Sequence, residues 1–499
     1  APVLWLLLGR HLKWKIFVPI FVLLQTGISI VGNLEVFPFP LPAMVVFYLI
    51  ATLISIIPYL LDKLTLGKVP LLVQSLIFPS SMVLVLFLFG HGPSGTWGNI
   101  AYTQTSWLVF IQSVSLGGIW LIDFLIYWFA TVCLITLRHG FRTTAAGVFG
   151  ASFLALLCYG VFRLNSNVSH VKEKLEVAGI VANPLFIGEA LLLAEYEEST
   201  TIPADIAQSD PLLQRLNKAY VNFLADPSNP VYEPVMAAMQ ENTDQLFQRA
   251  NHFSGKDLIT WSEGAFQLIK PNEAEVIERA TEWAESHRTT LFLPLAVFHT
   301  GRVTPGVPFL ENKIVIISST GEILYSYFKN VPVKGLEPSF PGDGNIPQFT
   351  IDGQTVSPGI CYDADFPGLI AQTGQKASGI LVLPSSDWKA IAEIHGQMAV
   401  MRAIENDVTL FRPTANGNTL AVSGRGEILF RESSFDGFEE VGLDHLPVGQ
   451  SSAIFSIFPN LVPLSSVIVL GIVMLMAVPK VQQWLQVDWT RADVSSASN

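Results

Sequence analysis

Five long apolar runs constrain this chain more than anything else in it. They lie near residues 15–32, 41–61, 70–90, 117–137 and 144–162, and a sixth lies at 461–479. At about 1.5 Å of rise per residue, a helix over each would cross roughly 30 Å of hydrocarbon. Pro19, Pro58 and Pro79 fall inside spans, which is tolerated where neighbouring helices re-satisfy the backbone. The long stretch between the fifth and sixth runs has no such character. The expected organisation is an N-terminal transmembrane module at 1–164, a soluble domain at 165–458, and a closing span with its tail at 459–499. Composition agrees. Only 14% of the 499 residues are charged, where a soluble protein carries roughly a quarter.

Basic residues orient the spans. Arg10, Lys13 and Lys15 precede the first, Lys63 and Lys68 follow the second, Arg138 and Arg142 separate the fourth and fifth, and Lys480 follows the last. With five spans plus one, these loops share a side, which the positive-inside rule makes cytoplasmic. The 165–458 domain is then extracytoplasmic. Residues 105–117 either lie at the interface, with Trp107 as an anchor, or extend the fourth span. Asp123 inside that span reads as an interior-facing polar residue. The chain starts at Ala1, as if an upstream piece were missing. Its first apolar run, Val3 to Leu8, is too short to span and lacks the layout of a signal peptide.

A net charge of −12 argues against a nucleic-acid partner. Of three cysteines, Cys133 and Cys158 sit in apolar runs, so no disulfide framework or metal cluster is expected. No Gly-rich phosphate loop calls for a nucleotide cofactor. In the soluble part, strands are expected at 175–182, 256–261 and 290–298, with hairpins over 312–328 and 348–360. Further strands are expected at 380–383, 408–412 and 419–423. Helices are expected at 186–198, 210–224, 231–253, 272–287 and 391–406. This alternation predicts an α/β layered domain with a mixed sheet.

Three polar residues stand just past strand ends: Glu263, Lys329 and Cys361. A cysteine attacks as thiolate, so it needs a base, and donors for the charge that develops on a carbonyl. Glu263 would shuttle the proton. Lys329 and a backbone N–H near Tyr362 would hold the oxyanion, and Cys361 would carry an acyl group. The alternative for Cys361 is a buried structural cysteine.

WSEGA (261–265), YFK (327–329) and GICYDADFP (359–367) together resemble the nitrilase, or carbon–nitrogen hydrolase, superfamily. PSSDW (384–388), HGQMAVMRAIEN (395–406) and FRPTANGNTLAVSGRGEI (411–428) resemble its later segments. The resemblance implies an αββα sandwich with a Glu–Lys–Cys triad of Glu263, Lys329 and Cys361. A membrane module before such a domain and one span after it, with LVFIQSVSLGGIWLIDFLIYWFA at 108–130, resemble the apolipoprotein N-acyltransferase family. That implies a bacterial inner-membrane enzyme working by a ping-pong route. Cys361 would take an acyl chain from a phospholipid as a thioester and pass it to the N-terminal amine of a lipoprotein. Glu337 falls where the family keeps a second essential carboxylate, and Asp363 where it usually has Glu.

The sequence departs from the family around Lys329, where NVPVKGLEPSFPGDG replaces a His-Leu-Val-Pro-Phe-Gly-Glu-like run. The interval to Cys361 is short, residues 184–255 are long, and Asp387-Trp388-Lys389 replaces Asp-x-Trp-Phe-Gly. These differences bear on the substrate. A membrane-anchored amidase, a transferase for another amine, and an inactive binding protein remain as alternatives. His395 reads as a helix residue buttressing the site rather than a metal ligand. Arg402 and Glu405 read as a structural pair. Trp388 either lines the pocket or packs.

Overall fold

The structure, a computed structural model, describes residues 2–36, 39–166, 174–207, 210–304, 306–449 and 453–476. Contacts divide the chain into two units, Ala1–Ser166 with Phe458–Asn499, and Asn167–Ile457.

In the first unit five helices are long and apolar enough to cross a membrane: Trp14–Val31, Leu41–Thr65, Leu71–Gly90, Ile119–His139 and Thr144–Asn165. The chain is a membrane protein. The second of these helices breaks at Ile56, between Leu41–Ser55 and Ile57–Thr65. Pro58 accounts for the break, because it lacks an N–H and its ring crowds the carbonyl of the preceding turn. Leu461–Met476 is shorter, at 16 residues; the end of the expected 461–479 run and the tail beyond it lie outside the described residues. Residues 105–117 do not extend the fourth span. They form two short turns, Leu108–Ile111 and Val114–Gly117, and Gly118 at φ 66° starts the long helix separately. Gly160 lets the fifth helix approach them, since a Cβ there would sit 1.9 Å from the Val109 carbonyl oxygen. Two acids inside this unit have polar partners. Arg10 donates to both oxygens of Asp62 (2.7 and 2.9 Å), and Asn99 donates to the fully buried Asp123 (2.7 Å).

The second unit holds two mixed sheets. The first runs, in spatial order, Glu440–Pro447, Lys174–Ile180, Leu258–Trp261, Thr290–Phe298, Leu310–Ile317, Ile323–Phe328, with Phe266–Ile269 also on Thr290–Phe298. The second runs Ile428–Ser433, Asn418–Val422, Thr409–Arg412, Ile380–Val382, Gln354–Pro358, Phe349–Ile351. The sheets face one another. A Cβ on Gly179 of the first would meet the Phe411 ring of the second at 2.9 Å, and Tyr327 of the first bonds Asp363, just past the second. Helices cover the outer faces. Glu233–Ala250 and Glu273–His287 put Leu246, Phe247, Val276 and Trp283 against Leu291, Leu293 and Val315 of the first sheet. Ala392–Asn406 lies on the second sheet, against Thr409–Arg412 and Asn418–Val422. This is the expected αββα sandwich. Three strands of these two sheets were absent from the sequence reading: Phe266–Ile269, Ile428–Ser433 and Glu440–Pro447. The last completes the first sheet by pairing antiparallel with Lys174–Ile180.

Candidate active site

Each central side chain sits just past the end of a strand. Glu263 follows Leu258–Trp261, Lys329 follows Ile323–Phe328, and Cys361 follows Gln354–Pro358 after two residues. A strand end gives a rigid base and frees the next residues from the ladder. Cys361 has φ 43°, a left-handed conformation uncommon for a side-chain-bearing residue. It opens the short 3-10 turn Cys361–Asp365, and its N–H donates to the Pro384 carbonyl at 2.9 Å.

Glu263, Lys329 and Glu337 form one network. Lys329 Nζ donates to Glu263 Oε1 (2.8 Å) and to both oxygens of Glu337 (2.9 and 2.7 Å). Asn312 bridges the two acids, donating to Glu263 (2.7 Å) and Glu337 (2.9 Å). The Val333 N–H donates to Glu337 (2.7 Å) and the Ser386 N–H to Glu263 Oε2 (3.0 Å). Burial would lower the Lys329 pKa, but Glu263, Glu337 and Cys361 more than offset it and hold the ammonium well above its usual value. Lys329 is therefore a fixed cation.

The thiol is poised differently. Burial pushes the Cys361 pKa well above its ordinary value, Glu263 adds to the rise, and Lys329 opposes it. Cys361 rests as a neutral thiol, 5% exposed, with Sγ 3.6 Å from the Ser386 carbonyl oxygen. A thiol of this kind needs its proton removed as it attacks.

Asp363 ties the Cys361–Asp365 turn to the Lys329 loop. It accepts from Tyr327 Oη (2.7 Å), the Ile360 N–H (3.0 Å) and the Val331 N–H (3.0 Å). Burial outweighs these donors and lifts its pKa to about 6. Tyr362 is buried beside Cys361, edge-on to Phe366 with ring centroids 5.4 Å apart. Trp388 is half-buried after Asp387, and its carbonyl accepts the Ile391 and Ala392 N–H groups at the start of a helix.

A second network lies by the thiol. Asp387 accepts from Arg412 on both oxygens (3.0 Å each) and pairs with His395 Nδ1 (2.6 Å). His395 Nε2 lies 3.1 Å from Asp365. Burial would lower the His395 pKa, but Asp387 and Asp365 raise it to about 9. Ligand-type atoms of Cys361, Asp387 and His395 lie within 4.8 Å of one another. Arg412 already takes both carboxylate oxygens, so this donor set does not suit a metal ion.

Of the residues expected from sequence, Glu263, Lys329 and Glu337 are joined by direct bonds, and Cys361 is coupled to the first two by charge. Asn312, Ser386, Asp365 and Arg412 were missed. Ser386 lay within PSSDW and Asp365 within GICYDADFP, but neither motif says that a backbone peptide or a second acid counts.

The carbon–nitrogen hydrolase family matches residues 225–455, and the apolipoprotein N-acyltransferase N-terminal domain matches residues 1–132. Over these two segments the chain is similar to apolipoprotein N-acyltransferases of the carbon–nitrogen hydrolase superfamily. Among its relatives, the apolipoprotein N-acyltransferase of Coxiella burnetii is 22% identical over 306 residues, 57% of this chain and 58% of that one. The Pseudomonas putida protein of the same name is 25% identical over 235 residues, 40% of this chain and 46% of that one. The chain thus spans about half the length of the curated relatives it matches. An amidase from Nesterenkonia sp. of known structure aligns with a TM-score of 0.36 at 16% identity, over 54% of this chain and 90% of its own.

Proposed function

We propose that this chain is a membrane N-acyltransferase that moves a fatty acyl group from a phospholipid, through a thioester on Cys361, to the N-terminal amine of a lipoprotein. The observation that carries the reading is the Glu263–Lys329–Glu337 network beside a buried neutral thiol. The two family matches support it over residues 1–132 and 225–455.

In the first half-reaction Cys361 Sγ attacks the ester carbonyl. The S–C bond forms as Glu263 takes the thiol proton, and the ester C–O bond breaks as Glu263 returns that proton to the departing lysophospholipid oxygen. Lys329 and a backbone N–H near Tyr362 hold the oxyanion between these events. The three Lys329 contacts already go to Glu263 and Glu337. One arm of the Glu337 pair opens to supply the oxyanion donor. In the second half-reaction the acceptor amine attacks the thioester, the C–N bond forms and the C–S bond breaks. Glu263 carries the amine proton to sulfur. The basic loops of the membrane unit favour an inner-membrane, multi-pass topology with residues 165–458 outside.

The test supplies phospholipid and a diacylglyceryl-cysteinyl lipopeptide to the purified protein in detergent. An N-acylated lipopeptide with matching lysophospholipid is the expected result. Free fatty acid in place of acylated peptide would make the protein a tethered hydrolase that uses water as acceptor.

A further inference from the structure

The buried Asp365–His395–Asp387–Arg412 network takes no part in the steps proposed for Glu263, Lys329 and Cys361. Its four side chains are 0–3% exposed. Two of them lie close enough to Cys361 to be candidates for its base, and their charge states exclude that. His395 holds its proton up to a pKa of about 9, so it is no acceptor at neutral pH. Burial would raise the Asp387 pKa, but Arg412 and His395 hold it below the usual carboxylate range, so it is a poor acceptor too.

Geometry suggests the alternative. The Ser386 peptide touches both partners of the proposed proton transfer: its N–H donates to Glu263 Oε2 (3.0 Å), and its carbonyl accepts from the Cys361 thiol (3.6 Å). The Ser385–Ser386 segment is held to Thr414–Ala415 by only a two-residue parallel bridge. Ser385 N–H to Pro413 (3.0 Å) and Asp387 N–H to Ala415 (2.8 Å) flank it. The Asp387 side chain adds the anchor that so short a bridge lacks. Arg412 fixes it from one strand and His395 from the covering helix. His395 in turn reaches Asp365, at the far end of the turn that Cys361 begins. The contacts therefore close a ring from the nucleophile turn through Asp365, His395, Asp387 and Ser386 back to Cys361, with Glu263 attached.

We propose that Asp387, clamped by Arg412 and His395, is a positioning residue that fixes the Ser386 peptide and so keeps Glu263 and Cys361 in register for proton transfer. This rests on the Glu263–Cys361 assignment above. A paired, charge-balanced cluster is a weak source of stability but a stiff one, and reacting groups displaced by about 1 Å lose on the order of 10²-fold in rate.

The test uses the full chain with Asp387→Asn and His395→Gln. It measures thermal unfolding, kcat and KM for acyl transfer, and the pH profile of Cys361 alkylation by iodoacetamide, followed at the Cys361 peptide by mass spectrometry. Both variants are expected to fold and to lose on the order of 10²-fold in kcat with little change in KM. Asp387→Asn removes a negative charge that raises the thiol pKa, so its alkylation profile moves to lower pH. Folded variants with wild-type kcat and an unmoved profile would overturn the proposal. If Asp387→Asn does not fold, His395→Gln and Arg412→Lys decide on kcat alone, and wild-type kcat in either overturns it. Alkylation needs no acyl substrate, so it separates this proposal from the reading beneath it. That reading fails instead if Cys361→Ala still transfers acyl groups.

Discussion

The two buried networks beside Cys361 differ in their balance of charge. Glu263, Lys329 and Glu337 place two carboxylates around one ammonium. Asp365, His395, Asp387 and Arg412 place two carboxylates against two cations. The first has acceptor capacity left over, which the proposed proton transfer needs. The second is balanced, with each acid at ion-pair distance from a cation, and is suited to hold geometry. The thiol between them is kept neutral chiefly by burial. Within one sandwich, surplus negative charge thus marks where a proton can go, and balance marks what does not move.

The sharpest way to break this comparison is to remove the surplus. Glu263→Gln keeps the shape and one acceptor oxygen for Lys329 and Asn312 but cannot take a proton. Acylation of Cys361 in a single turnover is expected to fall by about 10²–10⁴-fold while the protein stays folded. Normal acylation would move the base elsewhere.

Lys329→Met tests the same network from its cation. It leaves Glu263 and Glu337 buried without their shared partner, which is expected to cost about 3–5 kcal/mol. Lost oxyanion stabilisation should slow turnover by about 10²–10³-fold. Denaturant unfolding and steady-state rates read the two effects separately. A stable, active Lys329→Met protein would mean that the ammonium serves neither purpose.

A smaller effect comes from pH and touches only the balanced network. The His395 pKa is raised from 6.5 to about 9, its two acids outweighing burial. A histidine raised on folding contributes stability that is fully present below its unfolded value and lost as pH rises through its folded value. The wild type should therefore lose stability between about pH 6.5 and 9 by an amount that His395→Gln does not lose. Equal slopes in the two proteins would show that the imidazolium is not held as described.

Glu263 and Lys329 of the unbalanced network, and Cys361 beside it, were legible in the sequence because each follows an apolar strand-forming run: LITW before Glu263, ILYSYF before Lys329 and TVSPGI before Cys361. Glu337 was legible only through family resemblance, since nothing in its surroundings marks a loop carboxylate that folds back onto a lysine. The balanced network was almost invisible. Its members are spread from Asp365 to Arg412 over a turn, a strand end, a helix and another strand, and no spacing rule joins them. Asn312 failed for a related reason: it reads as the start of a strand, and only the register of the sheet turns its amide onto two acids. Among strands, Thr290–Phe298 matched its expected bounds because nearly every residue in it is apolar. Ile428–Ser433 and Glu440–Pro447 are sheet edges with Arg431, Glu432, Asp444 and His445 in them, and solvent exposure erased the alternation that would have marked them. The broken helix at Ile56 and the separate turns at 108–117 were hidden by the uniform apolarity of the spans, where only a proline or a positive-φ glycine records the break.

The most direct measurement is intact mass spectrometry of the purified protein after incubation with phospholipid, beside Cys361→Ala. A fatty-acyl mass on the wild type alone, discharged when lipopeptide is added, is the predicted result. An adduct of equal size on Cys361→Ala, or none on the wild type with any phospholipid, would contradict a Cys361 thioester.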